Sequence, residues 1–95
     1  MASISEDMKQ QPQPLLLDVR TSGEYNAGHI PDSINLSLDR LDEIESLAPD
    51  KNALIYLYCR SGSRSGYAAS QLKRMGYTQT YNVGGIISYR GPVAR

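Results

Sequence analysis

Two short apolar runs, Leu15-Leu16-Leu17-Asp18-Val19 and Ala53-Leu54-Ile55-Tyr56-Leu57-Tyr58, interrupt an otherwise mixed chain. Runs of this length without strict alternation suit strands covered on both faces, as in a parallel sheet. Elsewhere the apolar positions return at helical spacing: Leu38, Leu41, Ile44 and Leu47 after Ser37, with Pro49 at the end, and Ala68, Leu72 and Met75 before Gly76. Lys73 and Arg74 occupy the last turn of the second pattern, where cations complement the helix dipole. Thr21 or Ser22 is placed to cap a short helix through Tyr25 and Ala27, which Gly28 ends, and Ile30-Pro31-Asp32 turns the chain. Brief strands are predicted at Ile34 to Leu36 and at Thr80 to Val83, the latter running into Gly84-Gly85. Residues 1–14 read as a polar lead-in with one helical turn around Ser5 to Met8, ending in Gln10-Gln11-Pro12-Gln13-Pro14, and residues 15–95 as the folded domain. Strands alternating with helices over so short a chain predict an α/β fold with a mainly parallel sheet and right-handed crossovers.

With 95 residues, 40% of them hydrophobic, the chain is sized for one domain with one core. A single Cys excludes an internal disulfide framework, and one Cys with one His leaves too few ligands for a zinc or iron–sulfur site, so neither metal nor cofactor is expected. A lone thiol suits a reducing compartment. No segment reaches the roughly 20 apolar residues of a membrane span, and Met1 to Gln13 lacks the apolar centre of a secretory signal, so the expectation is cytoplasmic. Ten basic and ten acidic residues cancel, which marks the chain neither for nucleic acid nor for a membrane surface. The balance hides an asymmetry. Residues 1–50 hold all ten acids against Lys9, Arg20 and Arg40, a net −7, while residues 51–95 hold seven bases and no acid. Either the two halves pack together and neutralise each other, or the second half handles an anion.

Chemistry concentrates at Cys59. Ligands of parallel α/β sheets bind beyond the carboxyl ends of the strands, and Cys59 ends one strand just before a Gly- and Ser-rich loop and a helix. The free N–H groups of that helix start favour an anion. Together with Arg60 and Arg64 they would lower the thiol pKa and supply the thiolate, the nucleophilic form. Gly62 lets the backbone bend so that successive N–H groups converge. A small buried hydrophobe is the ordinary role of a lone Cys, but such a residue gains nothing from two guanidiniums within five positions. No acid follows Cys59 to pair with Arg60 or Arg64, so an anionic ligand is the simplest partner, with Arg64 as the two-pronged grip and Arg60 contributing field. His29, the only imidazole, lies in a turn thirty residues upstream and reads as a structural hydrogen bonder, which argues against a Cys–His protease. Asp18 and Arg20 read as a structural ion pair or a cap.

The ordered set of motifs resembles the rhodanese-like sulfurtransferase family in its single-domain form. Leu16-Leu17-Asp18-Val19-Arg20, Glu24-Tyr25, Gly28-His29-Ile30-Pro31 and Ile34-Asn35 are similar to its first signature. Tyr58-Cys59-Arg60-Ser61-Gly62-Ser63-Arg64-Ser65 is similar to its active-site loop, and Gly76-Tyr77 with Val83-Gly84-Gly85 to its closing segment. Ile86 stands where the family often has Trp, and the usual first strand and helix are shortened to a polar stretch. The resemblance implies a three-layer fold with a five-stranded, mainly parallel sheet flanked by helices. It also implies that Cys59 accepts a sulfane sulfur from a small anionic donor such as thiosulfate and passes it to a thiophilic acceptor: cyanide in an assay, a protein or small thiol in the cell. The substrate would be held by Arg60, Ser61, Gly62, Ser63, Arg64 and Ser65. A monomer is expected, since no sticky face stands out.

Two other functions fit part of the pattern. A Cys-dependent phosphatase or arsenate reductase also closes a thiolate loop with an Arg, but its loop has five residues between the two where this chain has four, and a leaving-group acid would have to come from the first half. A non-catalytic module using the same fold to bind a partner would have no need of the retained Cys59.

Overall fold

The computed structural model describes residues 4–95, so the first three residues of the polar lead-in lie outside it. The order of elements is α1 (Ile4–Asp7), β1 (Leu15–Asp18), α2 (Ser22–Ala27), β2 (Ile34–Asn35), a 3₁₀ segment over Leu38–Glu43, α3 (Ile44–Leu47), β3 (Leu54–Cys59), α4 (Ser63–Arg74), β4 (Gln79–Gly85) and a closing 3₁₀ turn at Ile86–Ser88. The strands form one sheet in the order β2-β1-β3-β4, all neighbours parallel. The two apolar runs of the sequence are therefore its adjacent central strands, with Leu17 paired to Leu57 and Asp18 to Tyr58.

Among the described residues the sheet has four strands, close to the five expected. Pro12 and Pro14 offer no ladder N–H, and the stretch before β1 forms the short helix α1 in place of a strand. β4, the longest strand, consequently sits at the sheet edge.

Side-chain alternation divides the core into two layers. Leu17, Val19, Ile55, Leu57 and Cys59 face α3 and α4, where they pack with Leu41, Ile44, Ala68, Leu72 and Tyr77. Leu16 and Tyr58 point to the other face and pack with Ile30 and with Ile4 and Met8 at the N-terminus, flanked by Ile86 and Tyr89. Ile4 of α1 and Met8 just after it thus join the core. With helices on both sides of the sheet, the molecule has the three layers expected of it.

The Leu38–Leu47 stripe folds less regularly than its spacing predicts. Arg40 leaves helical geometry (φ −124°, ψ 19°) and kinks the 3₁₀ segment, which then runs on into α3. Only Leu41 and Ile44 are fully buried, Leu47 is exposed, and the Ser37 hydroxyl donates to Asp39 Oδ1 instead of capping the backbone. By contrast, α2 has the full capping box: Glu24 N–H donates to Thr21 Oγ1, Thr21 N–H donates back to Glu24 Oε1, and Gly28 closes the helix.

Asp18 and Arg20 form a buried ion pair, with Arg20 Nη2 at 2.7 Å from Asp18 Oδ2 and also donating to the Gly28 carbonyl at 2.7 Å. This fastens the end of β1 to the end of α2. Two buried charges are tolerable here because the guanidinium fork meets both carboxylate oxygens. His29 is structural as well: its ring stacks on Tyr25 at 3.7 Å, and Nδ1 lies 2.9 Å from the Tyr25 carbonyl.

Candidate active site

β3 delivers Cys59 as its last residue, and α4 begins four positions later at Ser63. The intervening loop turns at Gly62, whose φ of +106° lies in the left-handed region that an L side chain enters only with strain. That turn aims the Gly62 N–H at the Cys59 sulfur, with N···S 3.0 Å. Space for the loop comes from β4, where Gly85 is paired to Cys59. A Cβ at Gly85 would collide with the Arg60 carbonyl and the Ser61 backbone. The Arg60 carbonyl in turn accepts from the Ile87 N–H at 3.2 Å, so the segment after β4 holds the loop in place.

Opposing effects act on the thiol. Burial pushes its pKa up, while the Ser65 hydroxyl and the backbone N–H groups of Ser65, Gly62 and Ser61 favour the thiolate. The hydrogen bonds win, and the pKa lies below that of an ordinary thiol. The Ser65 hydroxyl and the main-chain N–H groups, the latter expected from the sequence, are the largest of the lowering effects. The residue is also fully covered, with 0% of its surface exposed. One groove is lined by Met8, Ile30, Pro31 and Tyr89 and another by Leu15, Leu47, Pro49 and Leu54, both away from the Cys59 loop.

The six loop residues separate by location. Ser61 and Ser63 are exposed, as is Arg60, while Gly62 is half-buried and Ser65 fully buried. Arg64 is not unpaired, as the all-basic second half suggested. Its Nη1 and Nη2 donate to Glu24 Oε1 and Oε2 at 2.7 and 2.9 Å, so the acid comes from the first half of the chain, forty positions upstream. At this point the two oppositely charged halves do neutralise each other. Hydrogen bonds from Arg64, opposed by burial and helped by Thr21, hold the Glu24 carboxyl down at about 2.

A residue not singled out from the sequence completes the arrangement. Asn82 on β4 donates through Nδ2 to the Gly62 carbonyl at 2.9 Å and accepts at Oδ1 from the Ser65 hydroxyl at 2.7 Å and the Gly84 N–H at 3.0 Å. Gly62, whose N–H points at the sulfur, is thereby held through its own carbonyl, which lies in the next peptide group. Ser65 has one hydroxyl proton to share among Asn82 Oδ1, the Gly62 carbonyl at 3.1 Å and Cys59 Sγ at 3.5 Å, and Asn82 lies nearest. Nothing in Tyr81-Asn82-Val83-Gly84 marks this amide locally as part of the site. Among the described residues, no three of His, Cys, Asp and Glu converge to hold a metal ion.

Chemically, the site can hold a sulfur anion in a nest of amide hydrogens at the end of a parallel strand. The rhodanese-like domain family matches residues 2–90. Over 71 residues the chain is 39% identical to the thiosulfate sulfurtransferase PspE of Escherichia coli, a match covering 74% of this chain and 68% of that protein. It is 36% identical over 85 residues to the adenylyltransferase and sulfurtransferase uba4 of Ogataea parapolymorpha, covering 88% of this chain but only 22% of that much longer protein. A solved structure of a rhodanese with anions from E. coli superposes with a TM-score of 0.81 at 34% identity, over 86% of this chain and 98% of that one.

Proposed function

The chain belongs to the rhodanese-like domain family, with sulfurtransferases among its relatives, and from that premise we propose that it moves a sulfane sulfur through a persulfide on Cys59. The observation that carries this reading is the Gly62 N–H at 3.0 Å from the Cys59 sulfur, joined by further amides that favour the thiolate.

Two steps follow. The Cys59 thiolate attacks the outer sulfur of thiosulfate; a sulfur–sulfur bond forms on the enzyme, the donor's own sulfur–sulfur bond breaks, and sulfite leaves with the electron pair. The outer sulfur of the persulfide anion then passes to a nucleophile. Cyanide takes it as thiocyanate, a thiolate takes it as a new persulfide, and the Cys59 thiolate returns. Both steps exchange one anion for another without an external oxidant or a proton relay, so the lack of a nearby imidazole is no obstacle. Amide hydrogens that meet the thiolate at rest are also placed to meet the persulfide charge. Arg64 is the grip for the anionic donor, and Arg60 adds positive potential at the mouth.

A thiolate loop that transfers phosphate is the weaker reading, because four residues separate Cys59 from Arg64 and the amides close upon a single sulfur. A cytoplasmic location belongs to the same proposal, supported by the lone free thiol, and a monomer is proposed with it. The direct test is thiocyanate formation from thiosulfate and cyanide. Wild type should produce it and Cys59→Ser should not; equal turnover by the two proteins would refute the mechanism.

A further inference from the structure

The Arg64 guanidinium is already paired with an internal carboxylate before any donor arrives. Each of its outer nitrogens gives one N–H to an oxygen of Glu24, in the bidentate geometry that a sulfonate or sulfate would use. Glu24 is itself held in place: Thr21 binds its Oε1 through both N–H and hydroxyl, as part of the α2 capping box. The pair is only partly buried, with about a third of each side chain exposed (33% and 30%), so water and solutes reach it. An anionic donor therefore meets a guanidinium already neutralised by an internal carboxylate.

Resting on the sulfur-transfer reading of this site, we infer that Glu24 is a specificity-determining residue: it competes with the anionic donor for Arg64 and biases the enzyme against highly charged donors. A dianion such as thiosulfate displaces the carboxylate if it takes the same two-pronged face and lies beside it if it takes the remaining N–H groups, so in either case it meets the Glu24 charge. A donor of zero net charge, such as the zwitterionic persulfide of cysteamine, needs no such exchange. Its terminal sulfur passes to the Cys59 thiolate while cysteamine thiolate leaves.

Glu24→Gln isolates this role. Glutamine keeps the capping box, since the position accepts Glu or Gln, and α2 buries no residue, so the variant should fold. Removing one negative charge from a partly screened site corresponds to about a five-fold gain in dianion affinity. The test has two arms. In kinetics with wild type and E24Q, the ratio of kcat/KM for thiosulfate over cysteamine persulfide should rise by that factor, mainly through a lower KM for thiosulfate, and the gain should vanish in E24Q/R64A. In binding, sulfate serves as an inert dianion on Cys59→Ser protein, where E24Q should tighten its Kd by a similar factor. An unchanged or weaker sulfate Kd together with an unchanged donor ratio would overturn the inference. If no donor sulfurates the wild-type protein, the sulfur-transfer reading fails, and the sulfate titration alone then decides whether Glu24 guards Arg64.

Discussion

Asn82 fixes Gly62 from behind: its side-chain amide donates to the Gly62 carbonyl at 2.9 Å, while the N–H of that same residue points to the Cys59 sulfur at 3.0 Å. Asp at position 82 could not make this donation and would bring a negative charge to the cradle. Asn82→Asp is therefore expected to raise the pH midpoint of Cys59 alkylation by about one unit, equivalent to about 1.4 kcal/mol of lost thiolate preference. An unmoved midpoint in a folded variant would mean that Asn82 does not position the loop.

Ser65 supplies the remaining side-chain contribution to the thiolate. Removing its hydroxyl leaves Asn82 Oδ1 with the Gly84 N–H as partner, so Ser65→Ala creates no orphaned acceptor. The variant should fold with little loss of stability, yet its thiol should titrate above the wild-type value, because the burial that raises the pKa stays and a compensating hydrogen bond is gone. Alkylation rate against pH measures this directly.

The loop's path depends on an absent side chain. Since a Cβ at position 85 would strike backbone atoms of Arg60 and Ser61, which have no soft rotamer to give way, Gly85→Ala should cost about 2 kcal/mol or more and displace the loop from the sulfur. Urea unfolding and alkylation of the same sample would show both effects; wild-type values in both would contradict the packing described.

Stability should also report the Glu24–Arg64 contact. Hydrogen bonds from Arg64 outweigh burial and, with those from Thr21, lower the folded-state pKa of Glu24 from 4.5 to about 2. A depressed carboxylate contributes stability that is fully present above its unfolded value and lost as pH falls through the folded one. The Tm difference between wild type and Glu24→Gln should accordingly be largest above pH 4.5 and shrink as pH falls toward about 2. A difference independent of pH would show that the pair makes no net contribution.

The two central strands, the capped α2 and the Cys59-to-α4 junction were legible in the sequence because each rests on a local signal: an apolar run, Thr21 three residues before Glu24, a turn at Gly62. What depended on distant partners was not. Glu24 meets Arg64 across forty positions, so counting acids within the second half could not find it. Asn82 reaches Gly62 across twenty, and nothing local distinguishes it from an ordinary edge-strand amide. Arg40's departure from helical geometry lies within an apolar stripe whose spacing is unbroken. The burial of Ile4 and Met8 escapes composition for the same reason: two apolar residues in a polar stretch become core only through what they touch.

The intact mass of the protein after thiosulfate treatment tests the central claim most directly. A single added sulfur atom, absent in Cys59→Ser and removed by cyanide, is the expected result. An unchanged mass under conditions where Cys59 is reduced, or an equal gain in the Cys59→Ser variant, would contradict sulfur transfer through this residue.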